Sequence, residues 1–194
     1  MGARDLLTFD ESTHTYRVGG GVVPGVTSIL RPLSNFDGVP KGVLEAKADL
    51  GRRVHAACEF DDDGDLDEDT VQEDVAPYLQ AYRAFRRDSA ATVVHNEVRV
   101  YDGALRYAGT LDRVMGLNGA QWLVDLKTCI STPIAVGPQT AAYLRALSDP
   151  AVTHRAALRL RPDGSYRFEP LTGADDWSTF LACLTLLRFK ESHQ

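Results

Sequence analysis

Between Gln121 and Lys127 apolar and polar positions alternate: Trp122, Val124 and Leu126 take one parity, Asp125 and Lys127 the other. A period of two is the mark of a strand with one face toward a core. Asn118-Gly119 lies just upstream, and this pair supplies the two positive-φ residues of a type I′ turn. Tyr107 to Thr128 is therefore predicted as a β-hairpin. With those two residues as its loop, Leu117 faces Ala120, and the same register sets Asp112 opposite Asp125. Opposed side chains have Cβ atoms about 4.5–5.5 Å apart, where like charges repel. Lys127 shares their face.

The pattern elsewhere predicts short strands at Leu6 to Phe9 and Thr15 to Val18 around a turn at Asp10 to Thr13, stopped by Gly19-Gly20-Gly21. Val23 to Leu30 begins a helix capped by Thr27 or Ser28. A helix from Lys41 to Phe60, with Pro40 near its first turn, buries Val43, Leu44, Leu50, Val54, Ala57 and Cys58. Gly51, His55 and Glu59 recur at i, i+4 and i+8 on one side of it, and glycine there lets another backbone or strand approach. Val75 to Arg87 is helical, with Tyr78, Leu79, Tyr82 and Phe85 inward and Arg83, Arg86 and Arg87 on an exposed basic face. Thr92 to Tyr101 is a strand that carries Glu97 on its polar side.

Gly137-Pro138 opens a further helix, on which Gln139 and Tyr143 are neighbours four residues apart. His154 to Arg161 and Ser165 to Glu169 form a second hairpin across Pro162-Asp163-Gly164, and Arg155, Arg159 and Arg161 add positive charge to it. Trp177 to Lys190 closes the chain as an amphipathic helix on Trp177, Phe180, Leu181, Leu184 and Leu187. No internal repeat and no second domain is visible, so residues 1–194 read as one domain. The element order gives an α/β fold: a mixed, mostly antiparallel sheet flanked by helices.

Composition changes this picture in two places. With 44% apolar and 25% charged residues the chain reads as globular, and no run approaches the roughly 18 apolar residues of a membrane span. Cys58, Cys129 and Cys183 are odd in number and widely spaced, which predicts reduced thiols in a cytoplasmic compartment; the N-terminus lacks the apolar stretch of a secretory signal. The net charge of −6 runs against a nucleic-acid partner. Nine acidic residues and no basic one lie in Asp61 to Asp74, however, and setting them aside leaves 18 acidic against 21 basic side chains, a net of +3. That run reads as a solvated acidic surface loop, and the rest as mildly basic.

Two carboxylates beside an ammonium are chemistry in search of a divalent cation. Gly109-Thr110-Leu111-Asp112 followed by Asp125-Leu126-Lys127-Thr128 resembles the G-T-x-D … D-x-K-T signature of PD-(D/E)XK nucleases, nearest to the RecB-like branch with its phage-type exonucleases. The flanking pieces resemble it too. Gly51-x-x-x-His55-x-x-x-Glu59 is similar to the motif in which that branch presents an imidazole to metal, and Gln139-Thr-Ala-Ala-Tyr143 to its Q-x-x-x-Y motif. His14, in H-x-Y … V-P-x-V-T-S-I-L, resembles the opening of phage-type members and reads as structural. Three cysteines are too few for the four-thiolate iron–sulfur cluster that some relatives carry.

The resemblance implies a restriction-endonuclease-like core and a metal-dependent DNA nuclease, with exonuclease action in recombination or repair. It implies Mg²⁺ or Mn²⁺ held by His55, Asp112, Asp125 and the Leu126 carbonyl, with Lys127 orienting the attacking water and Gln139 and Tyr143 placing the DNA strand. Glu97 matches a position where relatives also carry a carboxylate, which leaves a second-metal or a supporting role open to it, and it is not counted among the expected ligands. DNA is the expected partner, with a recombination (annealing) protein as a second. The competing reading is a catalytically weak module on the same fold that binds DNA or a recombination partner.

Overall fold

The computed structural model describes residues 6–34 and 38–193. Its centre is a five-stranded sheet in the order β4 (Thr92–Asp102), β5 (Tyr107–Leu117), β6 (Ala120–Lys127), β7 (Val152–Leu160) and β8 (Tyr166–Pro170). All neighbours are antiparallel except β6 and β7. That parallel pair is joined by helix α4 (Val136–Leu147), because parallel strands need a crossover. The sheet is therefore mixed and mostly antiparallel, as the element order predicts. A separate three-stranded antiparallel sheet, β1 (Leu7–Asp10), β2 (Thr15–Val18) and β3 (Gly21–Val23), packs near the β4–β5 end through Tyr16, Val23 and Ala108. β3 was hidden in the sequence behind its glycines.

Both faces of the large sheet are covered. Helices α1 (Val26–Ile29), α4 and α5 (Asp176–Glu191) enclose Leu111, Val114 and Leu123 on one side. Helices α2 (Lys41–Asp63) and α3 (Ala76–Ser89) cover Met115, Val124, Leu126 and Leu158 on the other. Burial on both faces explains why β6 holds Leu123 as well as the alternating Val124 and Leu126. The end of α2 buries Val54, Ala57 and Cys58 as expected, but Val43 is exposed and Leu44 and Leu50 are only half-buried, so the first half of this helix stands out from the core. Thr27 and Ser28 are inside α1, whose N-cap is Gly25, and neither caps it.

The acidic run is an exposed surface segment only from Gly64 on. Helix α2 continues through Asp61, Asp62 and Asp63 and stops at Gly64, in the left-handed conformation that glycine adopts without penalty. One turn of this continuation points inward. The Asp62 side chain is fully buried, accepting from Arg113 Nε and Arg86 NH1 at 2.8 Å each and from the Tyr82 hydroxyl. Asp61 and Glu68 pair with Arg83, and Asp74 pairs with Arg53. Arg83 and Arg86 are thus spent on the acidic run and do not form a free basic face. Arg155 and Arg159 are likewise held, by Asp176 and Glu169. Part of the basic remainder inferred from composition is therefore held in ion pairs.

Candidate metal centre

The Asn118-Gly119 turn forms with both residues at positive φ, 52° and 76°. The ladder runs from Leu117–Ala120 to Arg113–Val124 in the predicted register. It ends one pair short of Asp112 and Asp125. There the backbone N–H of Leu126 donates to Asp112 Oδ2 at 2.7 Å, so a carboxylate stands in for the missing carbonyl of the ladder. The side-chain alternation of β5 changes phase at this point. Leu111 packs in the α4/α5 layer, whereas Arg113 and Met115, of the same parity, face α2 and α3. In β4 the matching irregularity falls on Glu97, at φ 45° within a strand, between the pairs Asn96–Arg113 and Val98–Leu111. Non-glycine residues adopt that conformation at a cost of order 1–3 kcal/mol, and such strain gathers at functional sites.

These two irregularities turn Glu97 and Asp112 toward His55 on α2. One ligand atom from each of His55, Glu97 and Asp112 lies within 4.8 Å of the others, so the three could hold a metal ion. His55 Nδ1 is 3.7 Å from Asp112 Oδ1 and 4.0 Å from Glu97 Oε1. Its other nitrogen, Nε2, lies 3.1 Å from the Leu126 carbonyl. A carbonyl only accepts, so Nε2 carries the proton and the Nδ1 lone pair faces the carboxylates. A ring N–H given to a backbone carbonyl is how metal-ligating histidines are commonly oriented. Burial holds the His55 pKa below its ordinary value against the pull of Asp112, which keeps the imidazole neutral as a ligand must be. The Leu126 carbonyl, expected as a ligand, lies against this His55 nitrogen.

Asp125 and Lys127 lie alongside. Asp125 is buried, and its Oδ2 meets Lys127 Nζ at 2.5 Å in a close ion pair. Burial pushes the Asp125 carboxyl up, Lys127 opposing and Asp112 adding to the shift. Burial also works against the Lys127 ammonium, yet Asp125 and Asp112 outweigh it and its pKa is raised. Glu97 is pushed up to about 7, first by burial and then by Asp112. Arg113 NH1 steadies both, 3.3 Å from Glu97 Oε1 and donating to the Asp112 carbonyl at 2.9 Å.

The cluster opens into a cleft of about 1,120 Å³ that Glu59, Gly51, Gln139, Tyr143 and His14 also line. Gln139 Nε2 donates to the Tyr143 hydroxyl at 3.2 Å, so the two predicted neighbours on α4 do meet. Gly109 is what lets Tyr143 reach in: a Cβ there would stand 2.5 Å from the Tyr143 ring. Gly51 has no such duty, since a Cβ would find only Thr128 Oγ1 at 3.7 Å. Glu59 is outside the converging three. Glu97 is the member that sequence reasoning undervalued. The signal available was its place across from Asp112 in the adjacent strand, but the twist that aims it is not written in the residue types.

No protein-family model matches this chain, and none of the curated proteins compared with it matches.

Proposed function

We propose that the chain is a metal-dependent DNA nuclease of the PD-(D/E)XK type on a restriction-endonuclease-like core, hydrolysing phosphodiester bonds with Mg²⁺ or Mn²⁺. The observation that carries this reading is the convergence of His55, Glu97 and Asp112 from three separate elements, next to the Asp125–Lys127 pair. The donors suit the group: two carboxylates and a neutral imidazole. When bound, a divalent metal polarises a phosphate oxygen and lowers the pKa of a coordinated water toward neutrality.

The protein's own groups supply the rest. Arg113 fixes the Glu97 carboxylate, and the Leu126 N–H and carbonyl fix Asp112 and His55 respectively. Lys127, kept as an ammonium, offsets the charge that grows on phosphate as the bond breaks. Gln139 and Tyr143 line the same cleft and hold the strand in line for attack. Exonuclease action in recombination or repair follows from the likeness to the RecB-like branch. The test is cleavage of linear and closed circular DNA with Mg²⁺, Mn²⁺ or EDTA. Metal-dependent loss of the linear form alone supports an exonuclease, and loss of both an endonuclease. DNA binding without cleavage in either metal leaves the binding-module reading instead.

A further inference from the structure

We propose that Arg99, seated on the Phe9 ring, binds the phosphate next to the one that is cut, which gives the metal centre a subsite for the DNA strand built by β4 and the small sheet. The inference rests on the nuclease reading above and adds to it the residue that engages the backbone beside the scissile bond.

Arg99 lies two residues beyond Glu97 on β4 and pairs with Thr110 of β5, just as Thr110 lies two residues before Asp112. Two residues of strand are about 7 Å, so Arg99 stands one step along the cleft from the metal-ligating carboxylates and on their side of the sheet. All four of these residues line the same cavity. The other cations of that lining are engaged: Arg52 with Asp49, and Lys127 with Asp125. Arg99 is exposed, and its side chain makes no hydrogen bond or ion pair among the described residues. Its guanidinium carbon lies over an aromatic ring, 5.6 Å from the Phe9 centroid.

That contact is itself built. Phe9 stacks on Tyr16 with centroids 4.5 Å apart, and His14 meets the Phe9 edge at 5.0 Å. The Tyr16 hydroxyl is 2.9 Å from Thr110 Oγ1, which ties the small sheet to β5 beside Arg99. Stacking on an aromatic face restrains a guanidinium without consuming its N–H donors. A fork held in this way, next to a cluster of carboxylates yet paired with none, suits an anion brought by the substrate, and bidentate contact to phosphate is what the guanidinium geometry favours.

The experiment is fluorescence anisotropy with labelled single-stranded and duplex oligonucleotides in CaCl₂ across a salt series, on wild type, R99Q, R99K, F9A and F9W. Losing one charge-assisted phosphate contact is expected to weaken binding by R99Q about tenfold. It is also expected to lower the slope of log K against log salt by about 0.7–0.9. R99K keeps the slope, F9A weakens binding in the same direction as R99Q, and F9W restores it. In steady-state cleavage the R99Q loss falls mainly on KM. Should R99Q keep wild-type affinity and slope while wild type binds and cleaves, the Arg99 assignment is overturned and the nuclease reading stands. Should wild type neither bind nor cleave with Mg²⁺ or Mn²⁺, the nuclease reading fails and this inference falls with it.

Discussion

Replacing Asp62 by asparagine separates the two accounts of the acidic run, because it removes one charge without changing side-chain volume. If the run were a solvated loop, the change would lie within about 0.5 kcal/mol, as surface substitutions do. In the structure Asp62 faces Arg113 with both side chains fully buried, and Arg86 and Tyr82 also bond to it. Taking one partner from a buried pair costs about 3–5 kcal/mol, since the other charge is left uncompensated. Glu97, 3.3 Å from the Arg113 guanidinium, retains part of the compensation and places the expected loss near the lower limit, about 3 kcal/mol. For a chain of this size that is about 6–12 °C in Tm. The assay is urea and thermal unfolding followed by circular dichroism, with exposed Asp65→Asn as the control. A D62N protein within about 1–2 °C of wild type, the shift that 0.5 kcal/mol gives at this size, would refute a structural role for Asp62.

Metal should stabilise the folded chain by about 2.7 kcal/mol at a hundredfold excess over Kd, and calorimetric melting should show this shift disappear in Glu97→Gln and Asp112→Asn. Metal affinity should rise with pH through about 7, where Glu97 gives up its proton, and level off above; isothermal titration in buffers of different ionisation enthalpy counts the released proton. The sign for stability of the metal-free chain is opposite: a carboxyl whose folded pKa is raised favours folding below its unfolded pKa, and that contribution is lost as pH rises through about 7. Gly109→Ala should cost about 1–3 kcal/mol by overpacking and should slow cleavage as Tyr143 is pushed from Gln139, both read from unfolding curves and initial rates on one preparation.

Local chemistry was legible where neighbours in sequence decide the outcome. Asn118-Gly119 and the alternation of Trp122, Val124 and Leu126 give the hairpin and its register to within one pair of the centre. The spacing Gln139 to Tyr143 gives a real contact, and the α/β architecture with its crossover helix follows from element order. What was illegible depends on pairings far apart in the chain. Asp62 meets Arg113 across 51 positions, and nothing in a row of aspartates tells that one of them points inward. Glu97 reads as an ordinary polar strand position until its positive φ and the phase change at Asp112 aim both at His55. Arg83 and Arg86 look free on a helical face because their acidic partners belong to another helix.

The central claim, that these residues cut phosphodiester bonds, meets its most direct test in single-turnover cleavage of linear DNA by Lys127→Ala at saturating Mn²⁺. Loss of an electrostatic stabiliser of this kind should slow the chemical step by about 10²–10³-fold while Mn²⁺ binding to His55, Glu97 and Asp112 persists. Cleavage at the wild-type rate, with the same dependence on metal, would contradict the account.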